Sequence, residues 1–267
     1  MCCANLDKML LSYQTVGDPT DSPLIFLHGL GAGASQTASA FGALPSRYVI
    51  TPDMPGHGDS QDCSPNDLNF NTFADQVIEL MDHLDIDSTD IGGLSMGSGI
   101  TLNLALRYPE RLKKIILLRP SWMHIKQPEH LKLVAYVGQW IEELGTDAAR
   151  EKLLGDPDFQ QLDQENKPVA NSIGGMFQRP LTPASTAVLY KMWQDSPFSS
   201  PEELQSITHP TLMLTTGRDE LHPQSTADLI TSYLPNVMAN EVLPPRYHEP
   251  EAYGLAMNAL VQKFLAE

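Results

Sequence analysis

Short runs of consecutive apolar residues alternate along this chain with stretches in which apolar positions recur every three or four residues. Leu24-Ile25-Phe26-Leu27 and Ile115-Ile116-Leu117-Leu118 are unbroken apolar runs, the pattern of strands covered on both faces. Met9 to Thr15, Tyr48-Val49-Ile50, Asp87 to Ile91, Thr211 to Thr215 and Glu241-Val242-Leu243 read as further strands. Helical spacing is clearest from Thr72 to Leu84, where Phe73, Val77, Leu80, Met81 and Leu84 share one face. Other helices are predicted from Met96 to Tyr108, over 224–233 and from Glu251 to Leu265. Pro109 stops the first of these, because proline lacks a backbone donor and restricts the residue before it. Strands alternating with helices predict an α/β fold with a doubly wound, mostly parallel sheet.

Between Pro120 and Pro201 the strand pattern vanishes, and helical periodicity, strongest from Glu129 to Leu144, takes its place among several prolines. The expected organisation is a core of residues 1–120 and 202–267 with an inserted helical cap at 121–201. The length of 267 residues, with 42% hydrophobic positions, is enough for one large α/β domain with a sizeable core. Charge narrows the partners. Seventeen basic against 33 acidic residues give a net charge of −16, which repels nucleic-acid phosphates and anionic lipid. A small molecule is therefore the expected partner, with neither nucleic acid nor membrane. Ile91 to Leu106, the longest uncharged stretch with a helical pattern, is too short and too rich in Gly, Ser and Thr for a spanning helix of about 20 apolar residues. The first residues show no basic start and no apolar run, so no secretory signal is expected. Cys2, Cys3 and Cys63 cannot all pair within one chain. They read as reduced thiols of a cytoplasmic protein, with a lipidated terminus as the alternative.

The strongest chemical signal is Gly93-Leu94-Ser95-Met96-Gly97, set between a strand pattern and a helix pattern. A nucleophile on a sharp strand-to-helix turn needs small residues two places before and after it, and the following helix aims its free amides at the reacting centre. His28-Gly29-Leu30-Gly31 follows one buried strand, and Asp53-Met54-Pro55-Gly56-His57-Gly58-Asp59-Ser60 the next. In this order and spacing the three motifs resemble those of the α/β-hydrolase fold enzymes, and the resemblance covers nearly the whole chain. It implies that Ser95 is the nucleophile, and that the backbone N–H groups of Leu30 and Met96 form the oxyanion hole. It also implies a triad acid after the strand ending at Thr215 and a base after the last strand. Asp219, four positions before Pro223, fits the acid better than its neighbour Glu220, although the loop is about one residue short. His248 is the base that the resemblance implies, with Tyr247 where the family usually has glycine, and His222 is the competing base. His28 and His57 are expected to hold their loops rather than to move protons.

Arg119 and Trp122, directly after a strand that should end over the site, are candidate substrate-binding residues. Arg119 would clamp a carboxylate or phosphate and Trp122 would wall the pocket, while Arg179 is a second candidate clamp. No metal-ligand spacing, phosphate loop or dinucleotide fingerprint is present, so no cofactor and no metal are expected. The expected function is a serine hydrolase that cleaves a small carboxylic ester or related acyl compound through an acyl-enzyme on Ser95. One alternative is a carbon–carbon bond hydrolase of a diketone-like acid, although relatives of that kind usually carry a polar residue where Leu94 stands. Another is a ligand-binding, receptor-like member of the fold with slow turnover.

Overall fold

The computed structural model describes residues 2–6, 10–41 and 44–267. Eight strands form one sheet in the order β1-β2-β4-β3-β5-β6-β7-β8. They are β1 (Cys2–Asn5), β2 (Leu10–Val16), β3 (Ser22–Leu27), β4 (Arg47–Pro52), β5 (Thr89–Leu94), β6 (Leu112–Leu118), β7 (Thr211–Thr216) and β8 (Val237–Leu243). From β4 to β8 every neighbouring pair is parallel. Strands β1 and β2 join antiparallel at one edge. The sequence pattern does not show β1, and it begins β2 at Met9, which lies outside the described residues.

The unbroken apolar runs divide between the two faces of the sheet with the period of a strand. Ile25, Leu27, Ile115, Leu117 and Met213 pack on one side with Phe73, Val77, Ile100 and Leu104. These partners come from α2 (Phe70–His83) and α3 (Met96–Arg107). Leu24, Phe26, Ile116, Leu118, Leu212 and Leu214 face the other way, toward Tyr253, Met257, Val261 and Phe264. That second layer is built from α10 (Pro250–Ala266) together with α1 (Ala34–Phe41). Burying a side chain of this size contributes about 1.5–3 kcal/mol, so neither face tolerates a shift of register.

Between β6 and β7 the described chain is helical: α4 (Lys132–Leu144), α5 (Thr146–Gly155), α6 (Pro157–Glu165), α7 (Lys167–Gly174) and α8 (Pro183–Trp193), with short 3-10 turns. Helices α4 and α8 pack closely, and a Cβ on Gly138 would meet the Thr186 carbonyl oxygen at 2.8 Å. Helix α9 (Gln224–Tyr233) precedes β8. No described helix is long and apolar enough to cross a membrane.

The close contact that matters most lies under Ser95. An added Cβ on Gly93 would collide with the Gly97 backbone, and one on Gly97 with the Leu27 carbonyl of β3. Both obstacles are backbone, which cannot swing aside. Gly97→Ala is therefore expected to destabilise the fold by ~1–3 kcal/mol or more, read as a lower urea midpoint. Gly155→Ala is the control, because nothing lies within 4 Å of its added Cβ. It should leave the midpoint unchanged or raise it slightly.

Candidate active site

Ser95 sits between β5 and α3 with φ 57° and ψ −109°, a backbone conformation strained for any residue with a side chain. Its N–H donates to the Leu118 carbonyl at 2.9 Å, which ties the turn to the end of β6. The side chain lines a cavity of about 70 Å³ together with Leu30, Arg119, Trp122, Met176, His222 and Tyr247. Leu30 thus stands beside Ser95, in a loop braced by Gly29 N–H donating to Gln36 Oε1 at 3.0 Å. Met96 opens α3, so its N–H is one that a helix leaves without an intrahelical partner. The Ser95 hydroxyl donates to Ser121 Oγ at 3.3 Å, and Ser121 donates its own proton to the Leu221 carbonyl at 2.6 Å.

Asp219, after β7, is the carboxylate turned into this region. Its Oδ2 accepts from Arg119 Nη1 at 2.8 Å, and both side chains are at most 1% exposed. Its Oδ1 lies 2.9 Å from His222 Nδ1, close but out of line for a well-formed hydrogen bond. Glu220 is exposed and accepts instead from Asn166 Nδ2 at 2.7 Å, which anchors the loop to the start of α7. His248 is the base that the resemblance implies. It does not line the Ser95 cavity, and its Nε2 is buried without a partner. Arg246 and Tyr247 reach the cavity from that loop, and the Tyr247 hydroxyl lies 3.4 Å from Ser172 Oγ of α7.

Arg119 requires a correction as a substrate clamp. Its guanidinium is committed to Asp219, and the side chain is 1% exposed, so it is not presented to an anion. Its backbone φ of 47° bends the chain as it leaves β6, while its N–H still donates to the Leu214 carbonyl of β7 at 2.7 Å. Trp122 lines the cavity and donates its indole N–H to the Met192 carbonyl at 3.0 Å. His28 is fully engaged by backbone, with Nδ1 on the Gly29 carbonyl and Nε2 accepting from Met54 N–H. Ser121 and Gln36 were not among the candidates: Ser121 acts through a bond to a residue 100 positions away, and Gln36 through one to Gly29, seven positions before it, which no recognisable pattern marks.

Burial raises the Asp219 carboxyl, but the His222 ring and the Arg119 guanidinium outweigh it and hold the group down at about 2. Burial, with the Arg119 charge behind it, lowers the His222 imidazole to about 4 despite Asp219. At neutral pH the cluster therefore comprises a cation, a carboxylate and a neutral imidazole able to accept a proton. Both shifts are downward, so each group stabilises the fold above its ordinary value and loses that contribution on acidification. For His222 the loss runs from pH 6.5 to about 4 and is worth about 3 kcal/mol. For Asp219 it runs from 3.8 to about 2 and is worth about 2 kcal/mol. Urea unfolding should show stability falling between pH 6.5 and 4, and His222→Gln should make that fall shallower, the remainder belonging to the buried histidines His28, His57 and His130, which burial also lowers. Arg119→Gln should cost about 3–5 kcal/mol at pH 7 by leaving Asp219 buried and unpaired. If any activity survives, acidic and neutral esters should be affected equally.

Residues 22–250 match the sequence profile of the α/β hydrolase fold family. The chain belongs to this family. It is 26% identical over 255 residues to a 2-hydroxymuconate semialdehyde hydrolase of Pseudomonas sp. strain CF600, covering 92% of this chain and 87% of that one. Among solved structures it is similar to a meta-cleavage product hydrolase from Pseudomonas fluorescens IP01, with TM-score 0.76 and 20% identity over 100% of this chain and 97% of the other. It is also similar to the enol-lactonase of Burkholderia xenovorans LB400, with TM-score 0.75 and 19% identity over the full length of both. The two solved structures, below 25% identity, speak for the fold alone. The family and the curated relative together support hydrolase activity.

Proposed function

We propose that the protein is a serine hydrolase that cleaves a small carboxylic ester or related acyl compound through an acyl-enzyme on Ser95. The observation that carries this reading is Ser95, on a strained turn at the head of a helix, opening on the same cavity as a neutral imidazole backed by a buried carboxylate. In this scheme the imidazole takes the Ser95 proton as Oγ attacks the acyl carbon. The oxyanion is met by the N–H groups of Leu30 and Met96, and the leaving alkoxide receives the proton. Water, activated by the same imidazole, then releases the acid and restores Ser95.

We assign the imidazole to His222 in preference to His248, because His222 lines the Ser95 cavity beside Asp219 and His248 does not. The Ser95 hydroxyl, which donates to Ser121 Oγ, must turn toward the ring for this step. A second reading is carbon–carbon bond hydrolysis of a diketone-like acid. It is favoured by the name of the Pseudomonas relative, a semialdehyde hydrolase that aligns with 92% of this chain.

Labelling with a fluorophosphonate probe, followed by mapping of the modified peptide, tests the nucleophile. Adduct on Ser95 and none in Ser95→Ala is the expected result, and adduct elsewhere would overturn it. Steady-state kinetics on p-nitrophenyl esters separate the histidines. His222→Gln should lower kcat by at least ~10²-fold, within the range for losing a positioned general base, while His248→Gln should change it less than about tenfold. The reverse order would transfer the proton to His248. Turnover of a diketone-like acid with no ester turnover would favour the second reading.

A further inference from the structure

Two arginines, Arg119 and Arg246, line the cavity at Ser95, and among the described residues no acidic side chain does. In a chain with 33 acidic and 17 basic residues, such a wall is a marked local reversal of charge. The two cations differ in what they can still offer. Arg119 is spent on Asp219 and shut off from solvent. Arg246 is half-buried, and its guanidinium makes no ion pair and no hydrogen bond with the described residues. None of its nitrogens is both buried and unpartnered, so its free N–H groups are accessible. The contact it does make is with an aromatic face: Cζ lies 5.4 Å from the centre of the Tyr247 ring, which is itself part of the cavity wall. Stacking of this kind engages the flat face of a guanidinium and leaves its in-plane donors unused.

The backbone beneath Arg246 is held in place. Its N–H donates to Thr216 Oγ1 at 3.3 Å, and that hydroxyl donates to the Pro244 carbonyl at 2.9 Å, which ties the loop to the end of β7. Pro244 and Pro245, each with a fixed φ, stiffen the approach. The charge is felt inside the site, since after burial and the Arg119 charge it too lowers the His222 imidazole. A cavity of about 70 Å³ also brings the groups on its wall within the span of one small molecule. Leu30, Leu131 and Val134 make much of the remaining wall apolar, so the guanidinium fork is the feature that a polar substrate group must answer. Its planar pair of donors matches the two oxygens of a carboxylate.

We propose that Arg246 binds a carboxylate of the substrate, so that the compound cleaved at Ser95 is itself an acid. The inference rests on the reading of Ser95 as the nucleophile and deepens it by naming the substrate class. It gives Arg246 the part that the sequence suggested for Arg119.

The test is steady-state kinetics on two matched pairs of esters. Mono-p-nitrophenyl adipate and its methyl ester differ by a carboxylate in the acyl part, and p-acetoxybenzoate and its methyl ester differ by one in the alcohol part. In at least one pair the acidic member should have the higher kcat/KM, by about tenfold or more. Arg246→Gln should lower that acid-to-neutral ratio about 10–100-fold, with the loss falling on KM of the acidic ester. Arg246→Lys, which keeps the charge without the fork, should restore part of it. The ratio is the quantity to read, because removing the Arg246 charge also eases protonation of His222 and so alters both members of a pair alike. No preference for the acid in either pair, or a preference that Arg246→Gln leaves unchanged, would overturn the inference while the hydrolase reading stands. No turnover of any of the four esters would overturn the inference as well, and absence of a fluorophosphonate adduct on Ser95 would overturn the reading beneath it.

Discussion

The ion pair between Arg119 and Asp219 is the contact on which the geometry of the site depends. It joins the carboxyl ends of two neighbouring parallel strands, β6 and β7, at a point from which water is excluded. Burying two charges is expensive, and their attraction offsets that cost only when geometry is good and the remaining hydrogen-bonding capacity is used. Here Arg119 leaves the strand in a left-handed conformation while its N–H still extends the ladder to Leu214. That bend directs the guanidinium to Asp219 Oδ2 and leaves Oδ1 for His222. A carboxylate fixed in this way stays ionised beside a ring that burial keeps neutral, which is the state a proton acceptor must be in before it works.

Cations are the scarcer charge in this chain, 17 against 33 acidic residues, and they are held in three different ways. Arg47 pairs with Asp90, Arg107 with Asp75, Arg111 with Asp82, and Lys132 with Glu129 and Asp158. Arg150 and Arg246 lie over the rings of Phe177 and Tyr247. Lys114 and Arg179 donate to the backbone carbonyls of Phe264 and Met176. A net charge of −16 disfavours the approach of any anion from solution, so an anion would have to be recognised at short range.

The sheet is legible in the sequence because its central strands are covered on both faces, which favours unbroken apolar runs. Leu24 to Leu27 and Ile115 to Leu118 carry that mark, and each divides its side chains between two packed layers. Strand β1 carries no such mark, since Cys2-Cys3-Ala4-Asn5 is an edge strand with three of its four residues exposed. Helix α1 is short, uncharged and built largely of small residues, so it offers little periodicity to read. Ser95 was legible because a strained turn between a strand and a helix demands glycines at fixed offsets. The Arg119–Asp219 pair was not, because it joins positions 100 residues apart. The place of His222 was not either. It depends on how the short loop from Asp219 to Pro223 coils back on itself, and local sequence does not determine that.

The size of the cavity at Ser95 bears on how it could admit a ligand. About 70 Å³ is far below the several hundred Å³ that enclose a drug-sized ligand. The side chains that reduce it are not those of the turn beneath Ser95. Met176 comes from the helical insertion between β6 and β7 and crowds Gly31 of the loop after β3, while Tyr247 comes from the loop after β8 and reaches Ser172 of α7. Neither contact is anchored as the floor is: a methionine side chain turns about three bonds, and a 3.4 Å hydroxyl contact is weak. The floor of the site is held by backbone packed against backbone, at Gly93, Gly97 and Leu27. On the reading of Ser95 as the nucleophile, a substrate would gain room by displacing the side chains of the helical insertion and of the loop after β8, while the turn under Ser95 kept its geometry. Met176, Trp122 and Tyr247, which line the cavity above that turn, would then be the side chains that choose the substrate.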